Sequence, residues 1–191
     1  MLSFPTAVTL LKPDISLILL GRRRSGKSSA GNTILGTTEF QSGRKTVTCA
    51  VGNGKVLQWP VTVVDTPGWS LYGLAKSEQV RQQIQQSSLL CPRKRKVGFL
   101  LTIPVDFFKE KDRRAIEENL AVLGNAVWRR TAVLFTYGCE LGGRTIEELI
   151  MNGEPLRWVV ERCSHRHCVI DNNKGDETQV SRLLEMVERW W

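Results

Sequence analysis

The chemistry this chain can do starts at Gly21-Arg22-Arg23-Arg24-Ser25-Gly26-Lys27-Ser28, which fits the phosphate-loop pattern G-x-x-x-x-G-K-[ST]. Glycines at both ends let the backbone curl until successive amide N–H groups point inward, and a helix starting at the loop's end adds its positive pole, so the segment cradles phosphate. In such a loop Lys27 reaches the β- and γ-phosphates as the catalytic cation, and the Ser28 hydroxyl ligates Mg²⁺. Further on, an apolar run closes in Asp65-Thr66-Pro67-Gly68. A carboxylate ending a neighbouring strand is where phosphate-loop proteins hold the Mg²⁺ shell, and Gly68 offers an amide to a γ-phosphate. Together the two motifs point to a G domain rather than a small-molecule kinase.

Elements of two kinds must position these residues. Apolar runs at 15–20, 61–65, 97–103, 131–136 and 168–170 suit strands buried on both faces of a parallel sheet. Between them, 77–90, 110–123 and 145–151 have helical composition. Val180, Leu183, Leu184, Val187, Trp190 and Trp191 share one face of a final helix. Strand and helix alternate, which predicts a three-layer α/β sandwich around a mostly parallel sheet, with ligands at the carboxyl ends of its strands. The expected organisation is a short lead over 1–13 and one domain over 14–191.

The whole chain has 191 residues, 41% of them hydrophobic, with 27 Lys+Arg against 19 Asp+Glu and a formal net charge of +8. That composition is globular, and no apolar run approaches the roughly 20 residues that cross a bilayer. Met1 to Lys12 lacks the layout of a secretory signal, and the five scattered cysteines read as reduced thiols, so a cytoplasmic protein is expected. Cys163, His165, His167 and Cys168 crowd too closely to surround one zinc ion. The positive charge raises nucleic acid or anionic membrane as partners. Yet the runs Arg22-Arg23-Arg24 and Arg93-Lys94-Arg95-Lys96 lack the interleaved aromatics of a strand-binding groove, and the first lies inside the phosphate loop. Nucleic acid is therefore not the expected partner, and membrane contact is expected only through a partner or a segment beyond Trp191.

With Ile18 to Gly36 carrying the phosphate loop and its tail Gly31-Asn32-Thr33-Ile34-Leu35-Gly36, followed by Asp65-Thr66-Pro67-Gly68-Trp69, Asp112 to Ile116 and Leu134-Phe135-Thr136, the chain resembles the GTPases of immunity-associated proteins, the AIG-type G domains. The resemblance covers roughly residues 14–191. It implies a domain that binds GTP or GDP with Mg²⁺, acts as a slow GTPase or switch, and pairs as a homodimer or oligomer through its nucleotide face. Carried over, the cradle is Gly21, Arg22, Arg23, Arg24, Ser25, Gly26, Lys27, Ser28 and Ser29. A switch over 40–50 supplies Thr48, or alternatively Thr46, as a further Mg²⁺ ligand beside Ser28 and Asp65, with Ser42 near the nucleotide. Relatives read guanine with an acidic residue after the fifth strand. Here that turn is Thr136-Tyr137-Gly138-Cys139-Glu140, so either Cys139 replaces the acid or Glu140 stands in for it, with Tyr137 free to stack on the base. Asn172-Asn173-Lys174 matches the segment that closes over guanine.

Hydrolysis is the weaker part of the resemblance. Trp69 follows Gly68, where many small GTPases carry a water-orienting glutamine. Arg24 has the spacing at which guanylate-binding large GTPases supply an arginine in cis, although a solvated arginine is the plainer expectation. Two readings follow, a slow GTPase and a pseudo-GTPase scaffold with weak or absent hydrolysis; a basic nucleic-acid or membrane binder is a third.

Overall fold

The computed structural model describes residues 11–72, 77–92, 96–172 and 176–190. In chain order the elements are β1 (Ile15–Leu20), α1 (Lys27–Leu35), β2 (Ala50–Val56), β3 (Trp59–Asp65), α2 (Ser77–Gln86), β4 (Lys96–Pro104), α3 (Glu110–Leu120), β5 (Thr131–Thr136), α4 (Ile146–Asn152), α5 (Glu154–Arg162), β6 (His167–Val169) and α6 (Glu177–Glu188). The six strands form one sheet in the order β2-β3-β1-β4-β5-β6. Among the described residues only β2 runs antiparallel, hairpinned onto β3 from Ala50 opposite Asp65 to Val56 opposite Trp59. The others are parallel, with Ile15 of β1 flanked by Val61 on one side and Lys96 on the other.

Alternation along each buried strand divides the core in two. Ile18, Leu20, Val133 and Phe135 face Ile116, Leu120, Val159 and Val160 of α3 and α5. Ile15, Leu17, Leu19 and Leu134 face Ala30, Ile34, Leu183 and Val187 of α1 and α6. This is the expected α/β sandwich with helices on both sides of a mostly parallel sheet.

Two elements were not predicted. The β2 sequence, AVGNGKV, has neither an apolar run nor a strong strand former beyond its valines, because it is a largely exposed edge whose place is set by pairing to β3. The α5 helix begins at Gly153-Glu154-Pro155, which reads as a break; proline in a first helical turn lacks only an N–H that has no intrahelical partner. Of the second basic run, Arg93, Lys94 and Arg95 lie outside the described residues, as does Trp191 at the chain's end. Trp190 packs over Gly98 and beneath the Arg166 guanidinium, so the end of the last helix serves the core.

Candidate functional site

The phosphate loop hangs between β1 and α1 and is tied to the ends of three strands. The Thr102 hydroxyl donates to Leu20 O at 3.0 Å and lies 2.6 Å from Ser25 Oγ, and the Thr136 hydroxyl donates to Ser25 O at 2.6 Å. Arg23 N donates to Trp69 O at 2.8 Å, joining the loop to the segment after β3. Gly26, at φ 84, turns the chain into α1 in the left-handed region that side chains resist. Gly68 meets a different demand, since a Cβ there would lie 2.7 Å from Arg23 N and 2.8 Å from Lys27 Nζ. Ser25 is fully buried and its hydroxyl is occupied by Thr102, so it meets a ligand through its backbone.

Lys27 is buried and its ammonium donates to Gly21 O at 3.2 Å and Arg22 O at 2.9 Å. Burial pulls its pKa down to about 8, helped by the Arg22 charge and opposed by Asp65. Beside it the Ser28 hydroxyl donates to Asp65 Oδ2 at 2.6 Å, and the Thr46 hydroxyl reaches the same oxygen at 3.5 Å. Among the described residues, Asp65 Oδ1 is buried without a hydrogen-bond partner. Burial raises the pKa of Asp65, while Ser28, Lys27 and Thr46 act in the other direction. Of the two candidate threonines the structure sets Thr46, rather than Thr48, against the carboxylate.

Lys27, Ser28 and Thr46 line a cavity of about 820 Å³ that takes in residues 22–29, Ser42, Gly68 and Tyr137, and Asp65 joins it through Ser28. The cavity lining is strongly basic: Arg23 and Arg24 are exposed, and Arg44 and Lys45 contribute as well. Arg22 is arranged differently. Its guanidinium lies 3.2 Å from Asp106 and 3.7 Å from Asp112, so its charge is taken up by the segment leading into α3. Sequence reasoning missed Asp106 as that partner, because no motif links it to the loop. At the far end Tyr137 takes a left-handed backbone, φ 60 and ψ 41, beside exposed Cys139 and Glu140. Asn172 Oδ1 accepts from Thr33 Oγ1 of α1 at 2.9 Å. Asn173 and Lys174 lie outside the described residues.

A buried lysine on a glycine-closed loop, and a serine beside it bonded to the aspartate that ends β3, are the parts of a phosphate-loop G domain, and the sequence pattern of the AIG1 family matches residues 15–190. The chain belongs to the AIG1 family. Among curated relatives, GTPase IMAP family member 8 of Mus musculus is 32% identical over 182 residues, covering 91% of this chain and 26% of that protein. Immune-associated nucleotide-binding protein 5 of Arabidopsis thaliana is 28% identical over 186 residues, covering 93% of this chain and 61% of that protein. The chain thus spans about a quarter of the IMAP relative's length. Among solved structures, Toc33 from Arabidopsis thaliana in complex with GDP and Mg²⁺ aligns with a TM-score of 0.70 at 14% identity, covering 94% of this chain and 84% of Toc33. Era from Aquifex aeolicus, bound to GDP and AlF4⁻, aligns at 0.63 and 15% identity over 93% of this chain and 57% of Era. At those identities the likeness shows the phosphate-loop GTPase fold.

Within this AIG1 domain, Arg24 is the loop's strained residue. Its φ of 59 puts a long side chain in the left-handed region, which costs an arginine roughly 1 kcal/mol or more. Arg24→Gly will therefore leave the free protein as stable or raise its stability by up to about 1 kcal/mol, the glycine's own chain entropy offsetting part of the relief. If the arginine serves the transition state, the same variant will release phosphate at least tenfold more slowly at saturating GTP, an effect of about 1.4 kcal/mol. Thermal melts and single-turnover phosphate release read the two effects separately.

Proposed function

We propose that this chain is a guanine-nucleotide switch domain that binds GTP and GDP with Mg²⁺, hydrolyses GTP slowly and pairs with a second copy through its nucleotide face in the cytoplasm. The observation that carries the reading is the convergence of buried Lys27 with Ser28 on the lining of the 820 Å³ cavity, Ser28 being bonded in turn to Asp65. A triphosphate laid along residues 21–29 meets inward amides, the start of α1 and the Lys27 ammonium, which exchanges two backbone carbonyls for phosphate oxygens. Arg23 and Arg24 add charge to the cavity lining. Gly68 brings its amide close because it has no side chain to hold the two segments apart.

The residues present suit a hard divalent cation. Ser28 and Thr46 contribute hydroxyl oxygens, and Asp65 brings a carboxylate whose Oδ1 is buried with no hydrogen-bond partner among the described residues, an oxygen set of the kind Mg²⁺ prefers. When bound, Mg²⁺ neutralises charge on the β- and γ-phosphates. Thr46 sits in the predicted switch segment, so contact with the ligand there links occupancy to the conformation of residues 40–50. Tyr137 offers a face for stacking at the base end, and Asn172 is held to α1 nearby.

The dimerisation part rests on likeness alone: in Toc33, dimerisation is important for GTPase activity. No helix among the described residues is long and apolar enough to cross a membrane. A second reading, a nucleotide-holding scaffold without hydrolysis, is favoured by one observation, the burial of Trp69 at the position that orients water elsewhere.

Titrating nucleotide-stripped protein with GDP, GTP and ATP, with Mg²⁺ and with EDTA, tests the reading. GTP and GDP should bind, Mg²⁺ should tighten GTP, and ATP should not compete. ATP binding as tight as GTP binding would sink the guanine assignment. Phosphate release that rises with protein concentration supports the dimerising GTPase, and its absence at every concentration decides for the scaffold.

A further inference from the structure

The base end of the site carries a substitution that the nucleotide reading leaves open. Asp65 and Thr46 place the metal end of the ligand on the β3 side of the phosphate loop. The base must then extend to the other side of β1, toward the ends of β5 and β6. Cys139 stands in the loop after β5, and Asp171 follows β6. The two segments touch: Gly138 N donates to Ile170 O at 3.4 Å, and a Cβ on Gly138 would lie 2.8 Å from Val169 Cγ1. Across this seam Asp171 stands against the same turn, its Cβ 3.7 Å from where a Cβ on Gly138 would lie, and its charge acts on the neighbouring Cys139 thiol.

The backbone of Asp171 is held in place. Gln179 of α6 clamps it, with Oε1 accepting from Asp171 N at 2.8 Å and Nε2 donating to Asp171 O at 2.7 Å. The next residue, Asn172, is tied to Thr33 of α1, so the carboxylate has a fixed place relative to the helix that carries the phosphate loop. Glu140 lacks such a frame: it is exposed, and among the described residues no hydrogen bond holds its side chain.

Building on the guanine-nucleotide reading, we propose that Asp171 supplies the carboxylate that reads guanine, accepting from N1–H and from the exocyclic 2-amino group, and that Cys139 is the neutral neighbour this arrangement requires. Two carboxylates facing each other across the seam would repel, and one would tend to protonate and lose half of the acceptor pair. A thiol in that place is a weak donor that a base edge displaces easily. The desolvation of Cys139 and the charge of Asp171 raise its pKa, which favours that neutral form.

The test is binding of GTP, ITP, XTP and ATP, with Mg²⁺, to the nucleotide-stripped chain and to Asp171→Asn. ITP lacks the 2-amino group and should bind about tenfold or more weakly than GTP to the parent protein. Asp171→Asn should lose about 10- to 100-fold in GTP affinity and gain XTP, because an amide NH₂ donates to the xanthine O2 where a carboxylate repels it. Its melting temperature should be close to the parent's, since Gln179 holds the backbone in both. Equal binding of ITP and GTP to the parent, or a GTP preference over XTP that survives Asp171→Asn, overturns the proposal while leaving the nucleotide site standing. So does loss of that preference in Glu140→Gln instead. A parent protein that binds no GTP, or binds ATP equally well, overturns the guanine reading itself.

Discussion

Lys27→Met will weaken GTP binding by about a hundredfold or more, while the free protein stays as stable as the parent or becomes more so. The affinity loss follows from removing a charge-assisted donor that no neighbour replaces, worth about 3 kcal/mol when desolvated. The stability follows from where the lysine sits. It is only 6% exposed, and burial lowers its pKa from 10.5 to about 8. Below pH 8 the folded chain holds a charge that the unfolded chain carries in water, at a cost of roughly 3 kcal/mol. Between about pH 8 and 10.5 the unfolded state binds the extra proton, so the stability of the free parent protein rises with pH across that window. Methionine removes the cost and the slope together. It also leaves Gly21 O and Arg22 O without their donor, a loss of about 1–3 kcal/mol that offsets the gain at neutral pH. Melting curves of the nucleotide-free proteins at pH 7 and pH 9 check this: a parent whose stability falls between those values, with a flat variant, contradicts the buried-charge account.

The same residue shows why the phosphate end was legible in sequence and the base end less so. The segment from Gly21 to Ser28 is contiguous, and its backbone geometry follows from where its glycines and lysine stand. Asp65 and Gly68 were readable because a carboxylate closing an apolar run has few reasons to exist outside such a site. The strands legible in this way are those buried on both faces, β1, β3, β4 and β5, where nearly every residue must be apolar. Edge strand β2 was not, since its partner decides its conformation. Thr46 and Thr48 are both hydroxyls in one loop; only the fold brings one of them to Asp65. Arg22 looks like its neighbours in the motif, but Asp106, distant in sequence, takes up its charge. The Cys139–Asp171 pair joins loops from two different strands, and no local pattern signals such a meeting.

Trp69→Gln will destabilise the domain by about 3–5 kcal/mol and will not accelerate hydrolysis. The position follows Gly68, so a glutamine there resembles a repair of the missing water-orienting group. The structure gives position 69 a different task. Trp69 borders the cavity but is 4% exposed, and its side chain belongs to the core cluster containing Ile18, Val64 and Ile116. Its carbonyl accepts from Arg23 N at 2.8 Å, and its backbone bridges to Arg22, so the residue anchors the phosphate loop from the β3 side. Glutamine in the indole's place leaves a void and buries an amide with no partner provided, and both effects are unfavourable. For a domain of this size the loss lowers the melting temperature by about 10 °C. The loop it supports loosens with it, so GTP affinity falls while phosphate release per bound GTP does not rise. Melting curves and single-turnover assays separate the outcomes. A variant that melts with the parent and hydrolyses faster would show that side chain 69 turns into the cavity. If the prediction holds, side chain 69 anchors the phosphate loop to the core and is not a group that orients water.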